Sequence, residues 1–158
     1  MLRRAEGFTV VELLVVVAVM GILLAIVIPN LTRYLPAHRL GMGINQVIGD
    51  LRLTRQKAIA EGNDFVVKYP VDSDSSRYSV HNNDDSDRPP QIDSGEELLA
   101  LRLPSQVYFV GTKTFTFKSD GTVIDINGNP VSAFNISLRN PRGEQDSLSV
   151  LPSGMVMK

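Results

Sequence analysis

Three kinds of hydrophobic pattern follow one another along the 158-residue chain, and the first is a nearly unbroken apolar run from Phe8 to Ile28. Its only clearly polar members are Thr9 and Glu12. As a helix rising about 1.5 Å per residue, the run would reach roughly 30 Å, the thickness of one bilayer core. Valine and isoleucine weaken a helix in water, but in lipid the backbone must form its hydrogen bonds internally. The run therefore predicts a transmembrane helix over residues 8–28.

The second pattern is helical periodicity beyond a weak point at Pro29. Proline lacks an amide proton and clashes with the preceding turn, so we predict a kink there. Apolar residues then recur at helical spacing and form one stripe, which consists of Leu40, Ile44, Val47, Ile48, Leu51, Ala58 and Ile59. Gly62 suits a C-cap. The pattern predicts a long, bent helix from about Phe8 to Glu61, whose amphipathic half, residues 29–62, packs on a soluble domain.

The third pattern begins after Gly62, where short alternating or β-branched runs are separated by turn signals. Eight candidate strands are DFVVKYPV, RYSVH, LLALRL, VYFV, TFTFK, TVIDI, AFNISLR and SLSVL, with a further candidate at GMVMK. Turns are indicated at KSDGT, NGNP and NPRGEQ. These runs predict an antiparallel sheet or pair of sheets over residues 63–158. The predicted fold class is α+β, with a transmembrane and then amphipathic helix packed on this β-rich domain.

Three basic residues of the amphipathic half, Arg52, Arg55 and Lys57, admit two interpretations. They could form a DNA patch or a solvated helix face. The formal net charge of the whole chain is -1, whereas a dedicated nucleic-acid binder normally carries a clear basic excess. We therefore predict a solvated helix face.

Candidate catalytic and metal-binding chemistry is sparse. The chain has no cysteine, which excludes disulfides and thiolate metal sites but does not fix the compartment. His38 and His81 are its two histidines, and no HExxH, GxSxG or P-loop motif is present. We predict that the protein is not an enzyme and that it uses no cofactor and no metal.

The polar stretch from Asp72 to Glu97 invites a calcium interpretation, because its carboxylates and amides alternate in a way that suits hard cations. The EF-hand template fails, since Arg77 stands at the position that requires glycine and Asn83 at the position that requires glutamate. We predict a solvated, mobile loop, with calcium binding as the alternative.

The residues before the apolar run suggest its orientation. Arg3 and Arg4 should remain on the cytoplasmic side by the positive-inside rule, so the C-terminal end of the helix faces outward. A secretory signal would need a small-residue cleavage site after its apolar core, but IVIPNLTRYLP follows here. The small residue suited to processing, Gly7, precedes the run instead.

Glu12 is the residue that a plain membrane anchor leaves unexplained. A charge at helix-centre depth costs about 2.5–3.5 kcal/mol, and less near the helix end. Cleavage after Gly7 would create a positive α-amine on Phe8 at a helix N-terminus, one turn from Glu12. Glu12 could then pair with the amine of its own chain or with that of a neighbouring chain.

The segment GFTVVELLVVVAVMGILLAIVIPN resembles the class III signal of type IV pilins and type II secretion pseudopilins, matched at Gly7, Phe8, Glu12 and Pro29. The resemblance implies that a prepilin peptidase cleaves between Gly7 and Phe8 and methylates the new amine of Phe8. It also implies that Glu12 neutralises the terminal amine of an adjacent subunit during assembly. Residues 1–7 would then be a cleaved leader, and the apolar helix would enter a filament core.

Three later stretches resemble motifs of the GspH/FimT group of minor pilins and pseudopilins. LRLTRQKAIAEG is similar to the group's helix end, through Leu51, Arg55, Ala58, Ile59 and Gly62, with Thr54 in place of alanine. FTFKSDGTV and SVLPSGMVMK resemble a strand–turn and a closing hairpin, through the residues Phe117, Asp120, Gly121, Val150, Gly154 and Val156. We expect the glycines of these two stretches to permit tight turns.

These resemblances imply a structural subunit. It would be a single-pass protein of the bacterial inner membrane with its C-terminal domain in the periplasm. It would then assemble into, or prime, a type II secretion pseudopilus or a type IV pilus. Expected partners are prepilin peptidase, other pilin or pseudopilin subunits, and membrane lipid before assembly, with no small-molecule substrate.

The alternative is a DNA-binding minor pilin that acts in DNA uptake. Members on the FimT side of the group use basic residues near the C-terminus for that purpose. The counterparts in this chain are Arg139, Arg142 and Lys158, and the neighbouring Glu144 and Asp146 dilute their charge.

Overall fold

The computed structural model describes residues 8–70, 74–83 and 97–158, and the chain divides into two compact units between Leu35 and Pro36. A single long helix, α1 (Val10–Glu61), precedes all the strands of the described residues. These are β1 (Asp64–Tyr69), β2 (Arg77–Asn83), β3 (Glu97–Arg102), β4 (Tyr108–Val110), β5 (Lys113–Phe117), β6 (Val123–Asp125), β7 (Phe134–Arg139), β8 (Gln145–Val150) and β9 (Val156–Met157). The α+β class is confirmed, and each of the candidate strands forms.

The C-terminal end of α1, at Glu61, lies where the local sequence predicts it. The helix starts at Val10, two residues later than expected, and it is helical without interruption through Pro29, so the kink predicted there stays a prediction. At the other end Gly62 has a φ of 73°, which a residue with a Cβ rarely adopts, and its N–H donates to Ala58 O at 3.1 Å. Gly62 is therefore the C-cap.

The strands of the second unit form two antiparallel sheets. One has the order β3-β2-β1-β5-β6 and the other the order β4-β7-β8-β9. Register follows the alternation of side chains: Phe65, Val67 and Tyr69 on β1 face the core, and Val67 lies opposite Phe115 on β5. A pair of sheets, one of the two arrangements predicted, is the one that forms.

The apolar stripe of α1 supplies the helical side of the core, with one exception. Leu40, Ile44, Val47, Ile48, Leu51 and Ala58 are all buried. Ile59 was expected in the stripe but is 49 % exposed, so that assignment was wrong. One residue turns a helix by about 100°, which carries Ile59 off the line of Ala58. Its Cδ1 atom lies instead against the turn at Gly121.

A polar network ties α1 to the larger sheet. The Tyr78 hydroxyl of β2 donates to Asp50 Oδ2, and Gln46 Nε2 donates to Tyr78 Oη at 3.1 Å and to Arg102 O at 3.0 Å. Burial raises the pKa of Tyr78, so its hydroxyl keeps its proton as a donor. The bonded partners lie 28 to 56 residues apart in sequence, and no local pattern indicates them.

Candidate functional site

The N-terminus of α1 is capped by reciprocal hydrogen bonds between Thr9 and Glu12. Glu12 Oε2 accepts hydrogen bonds from Thr9 N at 3.0 Å and from Thr9 Oγ1 at 3.1 Å, while Glu12 N donates to Thr9 Oγ1 at 3.2 Å. Thr9 is the N-cap and Glu12 the third residue of the helix, which is the spacing of a capping box. Glu12 thus has a local role in addition to the pairing with Phe8 predicted from the sequence.

The apolar run that follows is exposed along its whole length. Val10–Ile28 has a mean hydropathy of 3.1, and its length and composition allow it to cross a membrane. The side chains from Phe8 to Ile28 are all exposed, so this helix has no packing partner within the described part of the chain. An exposed apolar surface of this extent requires lipid or other protein.

In the second unit the structure brings the three later motifs together around Arg55. Arg55 Nε donates to Gly121 O at 3.0 Å, and Arg55 Nη2 donates to Ser153 O at 3.0 Å. One carbonyl belongs to the β5–β6 turn of the larger sheet and the other to the β8–β9 turn of the smaller sheet. Arg55 therefore links the end of α1 to both sheets.

Arg52 is exposed, as a solvated helix face predicts, whereas Arg55 and Lys57 are half-buried. Arg52 Nη2 donates to Val156 O at 2.9 Å, so both arginines bind backbone carbonyls of the C-terminal hairpin or its neighbouring turn. The physical reason is that a guanidinium group presents five N–H donors and can satisfy carbonyls that turns and short edge strands leave unpaired. In the sequence, the only indication of a structural role for Arg55 is its place in the motif LRLTRQKAIAEG.

The two glycines of these turns meet each other. Gly121 and Gly154 have φ values of 80° and 76°, as expected for tight turns. A Cβ placed on Gly154 would lie 2.1 Å from Gly121 O and 2.5 Å from Arg55 Nε. The space that a Cβ on Gly154 would need is therefore occupied by the Gly121 backbone and the Arg55 side chain. A glycine is required at position 154 both for this close approach of the two turns and for its positive φ.

Asp120 shapes the first of these turns. Its Oδ1 atom accepts hydrogen bonds from Thr122 Oγ1 at 2.5 Å and from Thr122 N at 2.8 Å, and its Oδ2 atom lies 3.1 Å from Lys118 Nζ. These hydrogen bonds lower the pKa of Asp120 to about 2. The charged form of the carboxylate therefore stabilises the turn beneath Arg55.

We expect Asp120→Asn to alter the acid stability of the protein. Because the folded-state pKa of Asp120 is lowered, its contribution is complete above the unfolded value of 3.8 and is lost as the pH falls toward about 2. Asparagine keeps the side-chain oxygen but cannot titrate. Urea denaturation should show an advantage of the native chain of about 1 kcal/mol near neutrality, since solvent screens this exposed group, and almost none at the lowest pH. A difference that stays constant across this range would contradict the assignment.

The structure places the three predicted DNA-contact residues on β7, in the turn before β8 and at the residue after β9. Lys158 Nζ lies 2.7 Å from Asp146 Oδ2, so a carboxylate compensates its charge. Arg139 is exposed on β7, and Arg142 lies in the turn before β8, where its N–H donates to Asn140 Oδ1 at 3.0 Å. The dilution by acidic neighbours that the sequence indicates is thus realised at Lys158.

The residues considered as metal or calcium ligands lie in separate parts of the chain. His81 is buried on β2 with its Nε2 atom 2.9 Å from Ser79 Oγ, and no three His, Asp or Glu side chains of the described residues are grouped as metal ligands would be. Asp74, at the start of the suspected calcium loop, pairs with Arg102 at 2.8 Å. Most of the Asp72–Glu97 stretch, together with Gly7 and the rest of the leader, lies outside the described residues.

Two solved structures share the fold of this chain. The type IV minor pilin FimU of Pseudomonas aeruginosa is 15% identical, with a TM-score of 0.54, over 75% of this chain and 90% of FimU. The minor pseudopilin EpsH from the type 2 secretion system of Vibrio cholerae is 17% identical, with a TM-score of 0.51, over 75% of this chain and 94% of EpsH. The fold is therefore that of minor pilins and pseudopilins.

Sequence profiles give the family. The profile described as "Type II transport protein GspH" matches residues 43–154, and the "Prokaryotic N-terminal methylation motif" matches residues 2–28. The chain belongs to the GspH family. A fimbrial protein of Pseudomonas aeruginosa is 35% identical over 65 residues, which are 41% of this chain, and the chain spans 42% of the length of that relative.

Proposed function

We propose that this protein is a minor pilin or pseudopilin subunit that is processed by prepilin peptidase and assembled into, or primes, a pilus or type II secretion pseudopilus. The observation that carries the proposal is the order of two matches on one chain. The methylation motif over residues 2–28 ends where the exposed apolar segment Val10–Ile28 ends, and the GspH region follows from residue 43. This order is what a membrane-stored subunit with a filament-forming helix requires.

The proposed mechanism begins with storage in the bacterial inner membrane. The apolar helix spans the bilayer, with Arg3 and Arg4 in the cytoplasm and the β-rich domain in the periplasm. Cleavage after Gly7 exposes the amine of Phe8, which is then methylated. Glu12 pairs with that amine on an adjacent subunit, because opposite charges attract strongly where water is excluded. Packing between apolar helices then replaces their contacts with lipid.

Processing is the step that tests this proposal most directly. The full-length chain, expressed together with prepilin peptidase, should be recovered with Phe8 as its methylated first residue, as measured by the intact mass. Gly7→Val should leave the chain at full length in the membrane, because a branched side chain replaces the small residue at the cut. We expect the processed fraction to fall at least about tenfold, a change of 1.4 kcal/mol or more in the barrier.

Gly21→Val is the matched control, since it makes the same change inside the apolar segment, where a Cβ meets nothing within 4 Å. This variant should be processed like the native chain. Retention of residues 1–7 in the presence of active peptidase would contradict the proposal. So would cleavage after the apolar segment, because the segment would then be an ordinary secretory signal.

DNA capture for uptake is the alternative function on the same scaffold. It would rely on Arg139, Arg142 and Lys158, of which Lys158 is paired with Asp146. Affinity for the phosphate backbone grows with the number of cations that contact it, so two exposed arginines are weak support. The structural-subunit role is therefore the function that we propose.

A further inference from the structure

A pocket of about 290 Å³ lies at the junction of α1 and the C-terminal hairpin. It is lined by Arg52, Arg55, Gln56, Gly154, Met155 and Val156. Two of these six residues are arginines from successive turns of the helix, and one is a methionine whose side chain is 53 % exposed. We refer to these six residues as the arginine pocket.

The two arginines of this pocket have N–H donors that make no hydrogen bond, and they have no acidic partner among the described residues. Their hydrogen bonds go to three backbone carbonyls, those of Val156, Gly121 and Ser153, through three of the N–H-bearing positions of the two guanidinium groups. Neither is within 4.0 Å of a carboxylate in the described ranges 8–70, 74–83 and 97–158. Two cations in one pocket repel each other, and an anion placed between them would reverse that cost.

The carbonyls also hold the guanidinium groups in place. Arg55 is bonded through Nε and Nη2 at 3.0 Å each, and Arg52 through Nη2 at 2.9 Å. A side chain that is already ordered loses less conformational entropy when it binds a ligand. A guanidinium fork also matches the two oxygens of a carboxylate, which it can bind with paired hydrogen bonds.

Several apolar residues of the two elements that form the pocket are exposed. Met155 lines the pocket, and both Met155 and Met157, two residues further along the chain, are exposed. Leu53 and Ile59, on the same end of α1, are also exposed. Arginine and methionine are enriched at protein–protein interfaces, whereas a surface that binds nucleic acid is expected to carry a stripe of cations.

We propose that the arginine pocket binds an aspartate or glutamate side chain of a neighbouring subunit in the filament, while an apolar residue beside that carboxylate packs on Met155. This inference rests on the proposed function as a filament subunit. It adds a second, specific contact, made where α1 meets the C-terminal hairpin and distinct from the one that we assign to Glu12. The pocket selects which subunit lies next to this one, because a partner without a correctly placed acid leaves the two cations uncompensated.

Site-specific photocrosslinking in the bacterium tests this inference on the full chain. A benzophenone amino acid replaces Met155, and the crosslinked subunit is identified by mass spectrometry. The expected partner is another protein with a methylation-motif helix, joined through a peptide that contains an acidic residue. Arg52→Gln should lower the crosslinked fraction about tenfold, as expected for loss of one charge-assisted pair. Arg52→Lys, which keeps the charge, should retain much of it.

Arg139→Gln is the matched control, because it removes an exposed arginine from β7, which does not line the pocket. It should leave the crosslink unchanged. Changing the acid of the partner to its amide should reproduce the effect of Arg52→Gln. Crosslinking that does not depend on Arg52, or a crosslinked peptide without an acid, would overturn the inference. A DNA gel shift that is lost in Arg52→Gln would also overturn it, by assigning the pocket to phosphate.

The two proposals fail in different ways. One outcome is that the chain is processed after Gly7 and enters filaments, but the crosslinked fraction does not change in Arg52→Gln. The arginine pocket then has no partner acid, and the subunit role stands. If the chain is never processed or never enters filaments, the subunit role fails, and the inference fails with it.

Discussion

Gly154→Ala should destabilise the β-rich unit by about 4 kcal/mol. A Cβ at this position would lie 2.1 Å from Gly121 O, an oxygen of the backbone, so the turn itself has to move. The alanine would also hold a φ of 76°, which costs about 1–2 kcal/mol for a residue with a side chain. Displacement of packed backbone adds about 1–3 kcal/mol. Natural domains are stable by about 5–15 kcal/mol, so most of the stability is at risk.

The measurement is urea denaturation of the fragment beginning at Pro36, since the buried core of the described residues runs from Leu40 to Val156. Gly128→Ala is the matched control, because Gly128 has a φ of 83° but a Cβ there meets nothing within 4 Å. It should cost about 1 kcal/mol, the backbone part alone. Equal losses in the two variants would show that the contact with Gly121 and Arg55 is unimportant.

Glu12→Gln should abolish most filament incorporation while leaving membrane insertion and cleavage intact. Glutamine keeps the side-chain oxygen that accepts from Thr9 and so keeps the capping box, but it has no charge to pair with the Phe8 amine. We expect incorporation to fall at least about tenfold, since a charge pair removed from water contributes 1.4 kcal/mol or more. Immunoblots of sheared filaments and of membranes measure the two quantities.

Thr9→Ala is the complementary variant, because it removes the capping hydroxyl and keeps the carboxylate of Glu12. The loss of one cap costs about 1 kcal/mol of helix stability, which the bilayer can supply, so incorporation should remain close to native. The opposite result, with Thr9→Ala defective and Glu12→Gln normal, would assign Glu12 to the cap alone and remove it from assembly.

The fold could be predicted from the sequence because the relevant signals are local. Alternation and turn residues located every strand of the described residues, and the stripe from Leu40 to Ala58 located the buried face of α1. The stripe ends one position earlier than predicted, because Ala58 is buried and Ile59 is exposed. The capping box was also missed, although Thr9 and Glu12 stand at the required spacing, because the late start of α1 at Val10 was not expected.

The surroundings of Arg52 and Arg55 were beyond the reach of local patterns. Charged residues outside an apolar stripe are usually solvated. No nearby residue in the sequence predicts that these two arginines bind the carbonyls of Gly121, Ser153 and Val156. Those partners lie 66 to 104 residues away. The motifs on either side of that gap were each identified, yet their convergence on one arginine depends on how the two sheets are arranged.

By itself, then, the amino-acid sequence determined the elements, the apolar segment and the family, because each depends on residue spacings within one helix, strand or turn. Tertiary structure alone decided that Gly121 and Gly154 meet beneath Arg55, and that two arginines share a pocket beside Met155. The physical reason is that hydrophobic periodicity specifies which face of an element is buried, whereas contacts between distant polar groups depend on the packing of those faces against one another.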